Sequence, residues 1–551
     1  MVNWLDSMVN ETKHNKTSNS SDFVQQAGIL AAAGIISRLI GVIYRVPLAN
    51  ILTNEGNGYY SSAYNMYVMI LLISSYSIPS AISKIISGKL EQREYQNAQR
   101  IFYGALMYVA VVGTAASLFL FFGASLLLEG DAALVLKVFA PTVLFYGFLG
   151  VLRGYFQAHK SMVQTSLSQI FEQIANCIVS LSAAYLFMSM YQEPQFGAMG
   201  SALGTSAGVV TALLFMLFVY KVNSRYIRKR LKRDRHTNVM KYDEVIRNII
   251  LIVTPIIIST FIYNLCGILN NKLFITIAIS KLGLSEEASY SIYGIFSAKA
   301  VILSDVPIAL ATAMSAALIP VVSGAYTSKG HEAASIHVKK AIHITMLLAI
   351  PAAVGMGILA KPIISLIFNI GDELAMATTL LQMMSATIAF YSLSTLSNGI
   401  LQGIGLVNKP VRNAAVALAI QTGVVTSLLL FTDFSIYALP VGFLIYSSTI
   451  CILNQLSIRK ALHMKLPILQ SLVKPTISAL VMGVIVLLLY KGIEYVLPNN
   501  LVIVTFGVFI GGCVYGVVML LIGGITEDDL YTIPKGRMLV PILRRVGLLR
   551  R

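Results

Sequence analysis

Long apolar stretches recur along almost the whole chain, and they restrict its fold more than any other feature. From Ala27 onward, runs of about 20 apolar residues follow one another with short polar interruptions. A run of about 20 residues crosses a hydrocarbon core of roughly 30 Å as one helix. Only 12% of the residues are charged, against roughly 25% in soluble domains. The sequence therefore predicts an all-α protein that crosses a membrane many times.

The apolar runs predict about fourteen membrane-spanning helices. They lie near residues 27–52, 59–88, 100–128, 132–157, 161–190, 196–220, 247–279, 287–322, 336–359, 376–402, 409–431, 434–457, 467–490 and 499–523. Two short similarities indicate an internal repeat. Ile-Ser-Gly at 86–88 corresponds to Val-Ser-Gly at 322–324, and RGYFQAHKS at 153–161 resembles NGILQGIGLVNKP at 398–410. Both pairs are six helices apart, and an even spacing keeps the crossing direction, so the repeats are parallel.

The basic residues predict the orientation. Lys and Arg resist translocation and accumulate in cytoplasmic loops. With the N-terminus inside, the outside loops hold only Lys137, Lys281, Lys361 and Lys491, and the remaining loop cations, Arg153 among them, lie inside. This alternation predicts a multi-pass protein of the cytoplasmic membrane with both termini in the cytoplasm. It also accounts for the net charge of +17 without nucleic-acid binding.

The repeat and the longest polar loop predict the domain organisation. We expect a disordered cytoplasmic tail at 1–26, a first six-helix lobe at 27–220, a basic cytoplasmic linker at 221–246, a second six-helix lobe at 247–458, two extra helices at 467–523 and a basic cytoplasmic tail at 524–551. The first residues lack the apolar stretch and small-residue cleavage site of a signal peptide, so we expect none to be removed.

Six basic residues lie within or at the edges of the predicted helices. They are Arg38, Arg45, Lys84, Lys272, Lys299 and Lys474. Lys84 and Lys474 lie near helix ends and can extend to the interface, whereas Lys272 is ambiguous. Arg38 and Arg45 are two helical turns apart on the first helix, so they share a face with a rise of about 10 Å between them. Lys299 is similarly deep in the eighth helix.

These buried charges predict an anion-binding interior. A charge at the centre of a membrane helix costs about 3 kcal/mol or more, so each needs a wet cavity, a carboxylate partner or an anionic ligand. Glu172 in the fifth helix and Asp305 in the eighth are candidate charge partners, and internal salt bridges are one interpretation. Three bases against two acids still leave the interior positive. We therefore predict Arg38, Arg45 and Lys299 as substrate ligands.

The sequence lacks the common catalytic motifs. It has no Walker A run, no H-E-x-x-H, and no G-x-S-x-G in a soluble context. Cys177, Cys266, Cys451 and Cys513 fall in apolar segments without C-x-x-C spacing, which predicts small core side chains rather than metal ligands or disulfides. We therefore expect a transporter and not an enzyme, with no cofactor and no metal. Its energy would come from a gradient, with a coupling ion as partner, or from downstream consumption of the product.

Several segments resemble a known family. They are FVQQAGILAAAGIISRLIGVIYRVPLANILTNEGNGYYSSAYNMY at 23–67, IPSAISKIISGKLE at 78–91, LRGYFQAHKSMVQTSLSQIFEQ at 152–173 and VPIALATAMSAALIPVVS at 306–323. These are similar to the polysaccharide transporter branch of the multidrug/oligosaccharidyl-lipid/polysaccharide (MOP) flippase superfamily. The MurJ-type lipid II flippases and the stage V sporulation protein B-like proteins are the members they most resemble.

The resemblance implies two six-helix lobes around a central cavity, with two C-terminal helices that form a hydrophobic groove. Ser37, Arg38 and Gly41 match the family's Ser-Arg-x-x-Gly element, Arg45 resembles a second arginine with a one-residue offset, and Lys299 matches a cation of the eighth helix. The implied function is alternating-access translocation of an undecaprenyl-diphosphate-linked cell-wall precursor, lipid II, from the cytoplasmic to the outer leaflet. Lipid-linked anionic oligosaccharide and membrane lipids are then the partners.

Three alternatives remain open at this point. A flippase for a capsular, O-antigen-like or sporulation-related lipid-linked oligosaccharide would share the cationic cavity. A multidrug cation antiporter of the same superfamily should instead have an acidic and aromatic cavity. A membrane scaffold with basic loops would leave the arginines of the first helix unexplained.

Overall fold

The computed structural model describes residues 33–34, 36–37, 40–41, 43–75, 78–159, 161–231, 234, 239–464, 467–496 and 498–525, and none of them forms a β-strand. Residues 43–51 are the described end of helix α1. The later helices are α2 (Asn54–Ser74), α3 (Ile78–Glu91), α4 (Tyr95–Phe122), α5 (Ala124–Leu127), α6 (Gly130–Ala158), α7 (Met162–Tyr191), α8 (Pro194–Leu231), α9 (Tyr242–Ser280), α10 (Glu286–Ile295), α11 (Ile302–Ile358), α12 (Ala360–Ile367), α13 (Leu374–Gly403), α14 (Asn408–Phe431), α15 (Ala438–Leu462), α16 (Lys474–Val496) and α17 (Asn500–Leu521). Two π-helical segments, Phe296–Val301 and Leu469–Val473, precede α11 and α16.

The described residues contain 12 helical stretches long and apolar enough to cross a membrane. These correspond one to one to the predicted helices, apart from the first and the seventh. Ten of the 26 residues of the first predicted helix, Arg38 among them, lie outside the described residues. The seventh corresponds to α9, a continuous helix of 39 residues. The predicted all-helical fold with many membrane crossings is therefore confirmed.

Helical structure extends into two segments that were predicted as polar loops. The basic run that opens the predicted linker is helical as far as Leu231, the end of α8, because no Gly or Pro interrupts it and Lys, Arg and Leu are good helix formers. In the loop predicted between the eighth and ninth helices, two helical segments of α11 meet at a kink, so the predicted break lies there although the loop is short. Only Gly330 departs from helical geometry there, with φ 77°, a region that glycine enters without steric cost.

Helix α9 connects the two parts of the chain, which we call the first half (residues 43–231) and the second half (residues 286–525). Val245, Ile249 and Val253 near its start are almost fully buried and pack with α3, α4, α6 and α8 of the first half. Further along, α9 contacts α14 of the second half and α2 of the first. The predicted lobes at 27–220 and 247–458 stay a prediction, and α9 is the helix whose assignment decides their boundary.

The halves also meet where α2, α10 and α13 begin, a region we call the Asn54 end. A Cβ atom built on Gly58 would lie 1.9 Å from the Tyr290 carbonyl oxygen, and one on Gly294 would lie 1.8 Å from the Asn54 carbonyl oxygen. Only glycine permits backbones to approach so closely. The Tyr59 and Tyr290 rings lie 4.9 Å apart beside these contacts. The two halves are therefore tightly packed against each other at the Asn54 end.

Candidate functional site

Arg45 is a half-buried cation of α1 that faces aromatic rings. Its guanidinium carbon lies 5.9 Å from the centre of the Tyr64 ring on α2, within cation–π range. Tyr44 and Tyr60 also lie close enough to interact electrostatically with it. Among the described residues, no carboxylate oxygen lies within 4.0 Å of the guanidinium group. No described acid therefore forms a direct ion pair with Arg45.

Asp305 is the acid of the second half that lies near Arg45. It is half-buried on α11 and attracts Arg45 electrostatically without forming an ion pair within 4.0 Å. Arg38, the other predicted arginine, lies outside the described residues, and its role stays a prediction. One turn further on, Gly41 brings the first helix against α7, since a Cβ there would lie 3.3 Å from Gln173 Nε2.

Glu172, the second candidate partner, is paired with a different arginine. Arg153 Nη2 donates to Glu172 Oε2 at 2.7 Å, and Arg153 Nε donates to Ser168 Oγ at 2.9 Å. Arg153 is only 6% exposed within α6, so its assignment to a cytoplasmic loop was wrong. The α6–α7 hairpin explains the pairing: Arg153 lies five residues before the end of α6, and Ser168 lies six residues after the start of α7. The similar distances of Arg153 and Ser168 from the connection between the two helices were the sequence signal that could have revealed this ion pair.

Lys299 belongs to a separate polar group at the Asn54 end. It is 3% exposed within the π-helical segment, and its Nζ donates to Asn54 Oδ1 at 2.6 Å. Asn54 Nδ2 in turn donates to Glu373 Oε1 at 3.1 Å. The structure thus brings Arg45 and Asp305 into one neighbourhood and places Lys299 in another.

Sequence reasoning missed the polar face of α2 that contacts α9 and the second half. Ser297 Oγ donates to Ser61 Oγ at 2.9 Å, Asn271 Nδ2 to Ser62 Oγ at 2.8 Å, and Asn65 Nδ2 to the Tyr293 hydroxyl at 3.1 Å. With Asn54 and Gly58, these residues of α2 recur at helical spacing in NEGNGYYSSAYN. That spacing of small and amide side chains is typical of helix contacts inside membranes, and it was the available signal.

The other basic residues have structural partners or are exposed. Lys474 Nζ donates to the Gly523 carbonyl oxygen at 2.7 Å, just beyond the end of α17, so it binds a helix terminus rather than simply reaching the interface. Lys272 Nζ donates to the Leu127 carbonyl oxygen at 3.2 Å. Lys84 is exposed, in agreement with its predicted position near a helix end.

The cysteines and the metal-ligating residues show no catalytic grouping in the described part of the chain. All four cysteines are free thiols: Cys266 and Cys451 are buried as predicted, Cys177 is half-buried, and Cys513 is exposed on α17. The prediction of a core position was wrong for Cys513, because α17 turns that side outward. The described residues contain no group of three or more His, Cys, Asp or Glu side chains arranged to hold a metal ion.

An apolar cavity of about 350 Å³ lies along α16. It is lined by Ile485, Leu488, Leu489, Gly492 and Ile493. Leu488 is 66% exposed, so this face of α16 is open at the surface. In a membrane protein such a surface suits an acyl or prenyl chain, because hydrocarbon is the solvent there.

Two protein families match overlapping parts of the chain. A family described as "Polysaccharide biosynthesis protein" matches residues 23–326, more than half of the 551 residues. A second family, MatE, matches residues 255–429. The chain is 25% identical over 540 residues to the membrane protein YabM of Bacillus subtilis (strain 168), which covers 95% of this chain and 96% of YabM.

Two further similarities concern lipid II flippases. The chain is 25% identical over 430 residues to lipid II flippase MurJ of Bacillus subtilis (strain 168), covering 75% of this chain and 77% of MurJ. A solved structure of a lipid II flippase MurJ in an inward closed conformation superposes with a TM-score of 0.63 at 14% identity, covering 89% of this chain and 97% of that one. The structural match agrees with the helical architecture. By its family match over more than half its length, this chain belongs to the polysaccharide biosynthesis protein family.

Proposed function

We propose that this protein moves a polyprenyl-diphosphate-linked saccharide from the inner to the outer leaflet of the cytoplasmic membrane, and that lipid II is its substrate. The observation that carries the proposal is the environment of Arg45: a half-buried guanidinium in a membrane helix, without a described carboxylate within 4.0 Å. Such a charge needs an anion to offset its desolvation. A substrate diphosphate would supply one.

The chemistry around Arg45 suits a diphosphate group. A guanidinium group presents a planar fork of N–H donors that binds phosphate oxygens in a bidentate manner. The hydroxyl groups of Tyr44 and Tyr60, which lie near Arg45, are donors that a phosphate can accept from. Arg38 would be the second guanidinium ligand. Asp305 would then be the internal carboxylate that competes with the substrate for Arg45.

The lipid tail needs no polar site. The apolar cavity on α16 is open at the surface, so a prenyl chain can lie along it without leaving a hydrocarbon environment. The saccharide would move between the two predicted lobes while its tail stays in lipid. With the N-terminus in the cytoplasm, the closed Asn54 end faces outward, and the substrate would load from the inner leaflet. Alternation of the lobes would then present it to the outer leaflet.

The MatE match to residues 255–429 supports a second candidate, a multidrug cation antiporter. A cationic substrate would be repelled by Arg45, so we place this function second. A flippase for another lipid-linked saccharide keeps the same anion chemistry and differs only in the sugar.

The proposal is tested by expressing the protein in cells depleted of their lipid II flippase. We expect restored growth, and lipid II in the outer leaflet as measured by accessibility to an external enzyme. Cells carrying the empty vector are the control, and extrusion of a cationic dye measures the rival activity in the same strain. Dye extrusion without outer-leaflet lipid II would favour the antiporter. If cells show neither outer-leaflet lipid II nor dye extrusion, lipid II is rejected as the substrate. Other lipid-linked saccharides would then be assayed directly.

A further inference from the structure

We infer that Asn54, Lys299 and Glu373 form a latch that holds the Asn54 end closed. The latch joins the halves because Asn54 begins α2 of the first half, whereas Lys299 and Glu373 belong to the second half. The inference rests on the proposed function only in that a flippase must open and close this end. It assigns Lys299 to gating, which is a different role from that of a substrate ligand.

Asn54 holds the latch through both ends of its side-chain amide. Its Oδ1 accepts from the Lys299 ammonium group at 2.6 Å, and its Nδ2 donates to the Glu373 carboxylate at 3.1 Å. The amide dipole therefore lies between a cation and an anion in the favourable direction. Hydrogen bonds to charged groups are about twice as strong as neutral ones. Both bonds break when α2 moves away from the second half.

The burial of Lys299 makes the latch dependent on Asn54. Its side chain is only 3% exposed, and a buried ammonium group that loses its acceptor incurs a large desolvation cost. Glu373 attracts Lys299 electrostatically, but no carboxylate oxygen of a described residue lies within 4.0 Å of the Lys299 ammonium. Asn54 therefore links the two charges. Separation of α2 from the second half is unfavourable until water or an anion replaces Asn54 as the acceptor for Lys299.

The surrounding contacts position Asn54 for this role. Gly294 lies against the Asn54 carbonyl oxygen, where a Cβ atom would come within 1.8 Å. Asn50 Nδ2 donates to the Ile367 carbonyl oxygen at 2.8 Å, and the Asn369 backbone N–H donates to Asn50 Oδ1 at 3.0 Å. These bonds tie the end of α1 to the segment just before Glu373. The latch residues are thus held in register by contacts on both sides.

The latch is tested by measuring how accessible the closed end is to a thiol reagent. In a background lacking Cys177, Cys266, Cys451 and Cys513, a reporter cysteine replaces Ser297, which lies half-buried beside Ser61. A membrane-impermeant methanethiosulfonate reagent is added to whole cells and, separately, to inverted vesicles. The side that labels the reporter identifies the face at which the Asn54 end opens.

We expect N54A to raise the labelling rate of S297C about tenfold, because a charge-assisted hydrogen bond shifts an equilibrium by about that factor. E373Q should raise the rate by less, since Lys299 keeps its bond to Asn54. N54A should have little further effect when combined with K299M, because the two act through one contact. The matched control is N223A, which removes an amide bonded to the Val219 carbonyl oxygen of its own helix and should leave the rate unchanged.

A disulfide assay gives two readouts: the final yield shows whether each variant still folds with this end assembled, and the rate shows how easily the end opens. The Ser61 and Ser297 hydroxyl oxygens lie 2.9 Å apart, so S61C/S297C should form a disulfide on mild oxidation, and more slowly in the N54A background. Unchanged labelling and unchanged disulfide formation in N54A would overturn the latch. The labelling assay needs no substrate, so it tests the latch independently of the proposed function. If N54A raises the labelling rate but the wild-type protein places no lipid II in the outer leaflet, the latch stands and the proposed substrate is rejected.

Discussion

Two arginines of the first half, Arg153 and Arg45, show opposite solutions to the problem of burying a cation. Arg153 is 6% exposed and is bonded to Glu172 and Ser168 within its own helical hairpin. Arg45 is half-buried, faces tyrosine rings, and is attracted electrostatically by an acid of the other half, Asp305, without an ion pair within 4.0 Å. The comparison teaches that a membrane arginine is structural when its carboxylate partner is local. It is a candidate ligand when only a distant acid is present.

The largest expected effect on stability comes from removing the local partner. E172A would leave Arg153 as a buried charge without its carboxylate, at a cost of about 3–5 kcal/mol. We expect a strongly lowered melting temperature in detergent and poor accumulation in the membrane. The double variant R153M/E172L should recover much of this loss, because an apolar pair of similar size avoids the unpaired charge. Wild-type stability in E172A would show that the ion pair contributes nothing.

Removing Arg45 should have the opposite profile. We expect R45A to lower lipid II translocation by at least about tenfold, the factor that corresponds to one charge-assisted bond, while the melting temperature changes little. R45K should keep part of the activity, since an ammonium group retains the charge but not the bidentate fork. The matched control is K84A, which removes an exposed cation. An R45A variant that is fully active but unstable would place Arg45 in the same class as Arg153.

Neutralising Asp305 should have a smaller effect than removing Arg45, and it should strengthen the binding of an anionic lipid. D305N removes a carboxylate that attracts Arg45 across the halves, so the surroundings of Arg45 become more positive and binding of an anionic lipid should strengthen by a few-fold. We expect slower release to lower the turnover of translocation. Binding can be measured with the purified protein and lipid II in detergent titrations. Weaker binding in D305N would mean that Asp305 orients Arg45 for the substrate.

The smallest effect is expected at an exposed pair. Lys361 Nζ lies 3.3 Å from Glu494 Oε1, and the side chains are 54% and 43% exposed. Solvent screens such pairs, and their contribution is about 0–1 kcal/mol. We therefore expect K361A to keep nearly wild-type stability and translocation, with thermal denaturation as the measurement. A loss as large as that of E172A would contradict the rule that local burial sets the value of an ion pair.

The candidate site was only partly predictable. Arg45 was identified from its depth in an apolar run, since bilayer insertion makes such a charge costly whatever its tertiary partners. Arg153 was misassigned because it lies close to a helix end, where loop and buried positions look alike in a sequence. The link from Lys299 through Asn54 to Glu373 joins residues 245 and 319 positions apart in the chain, and spacing rules say nothing about such distances.

By itself the sequence determined that the chain is a helical protein with many membrane crossings, and it placed Arg45 and Lys299 within apolar helices. Helix length and the transfer of side chains into hydrocarbon depend on local composition, so apolar runs are sufficient evidence for both. Only the tertiary structure decided which charges are neutralised and which end of the bundle is closed. Those outcomes depend on contacts within about 4 Å between helices far apart in the chain, where the dielectric environment and the available hydrogen bonds are set by packing.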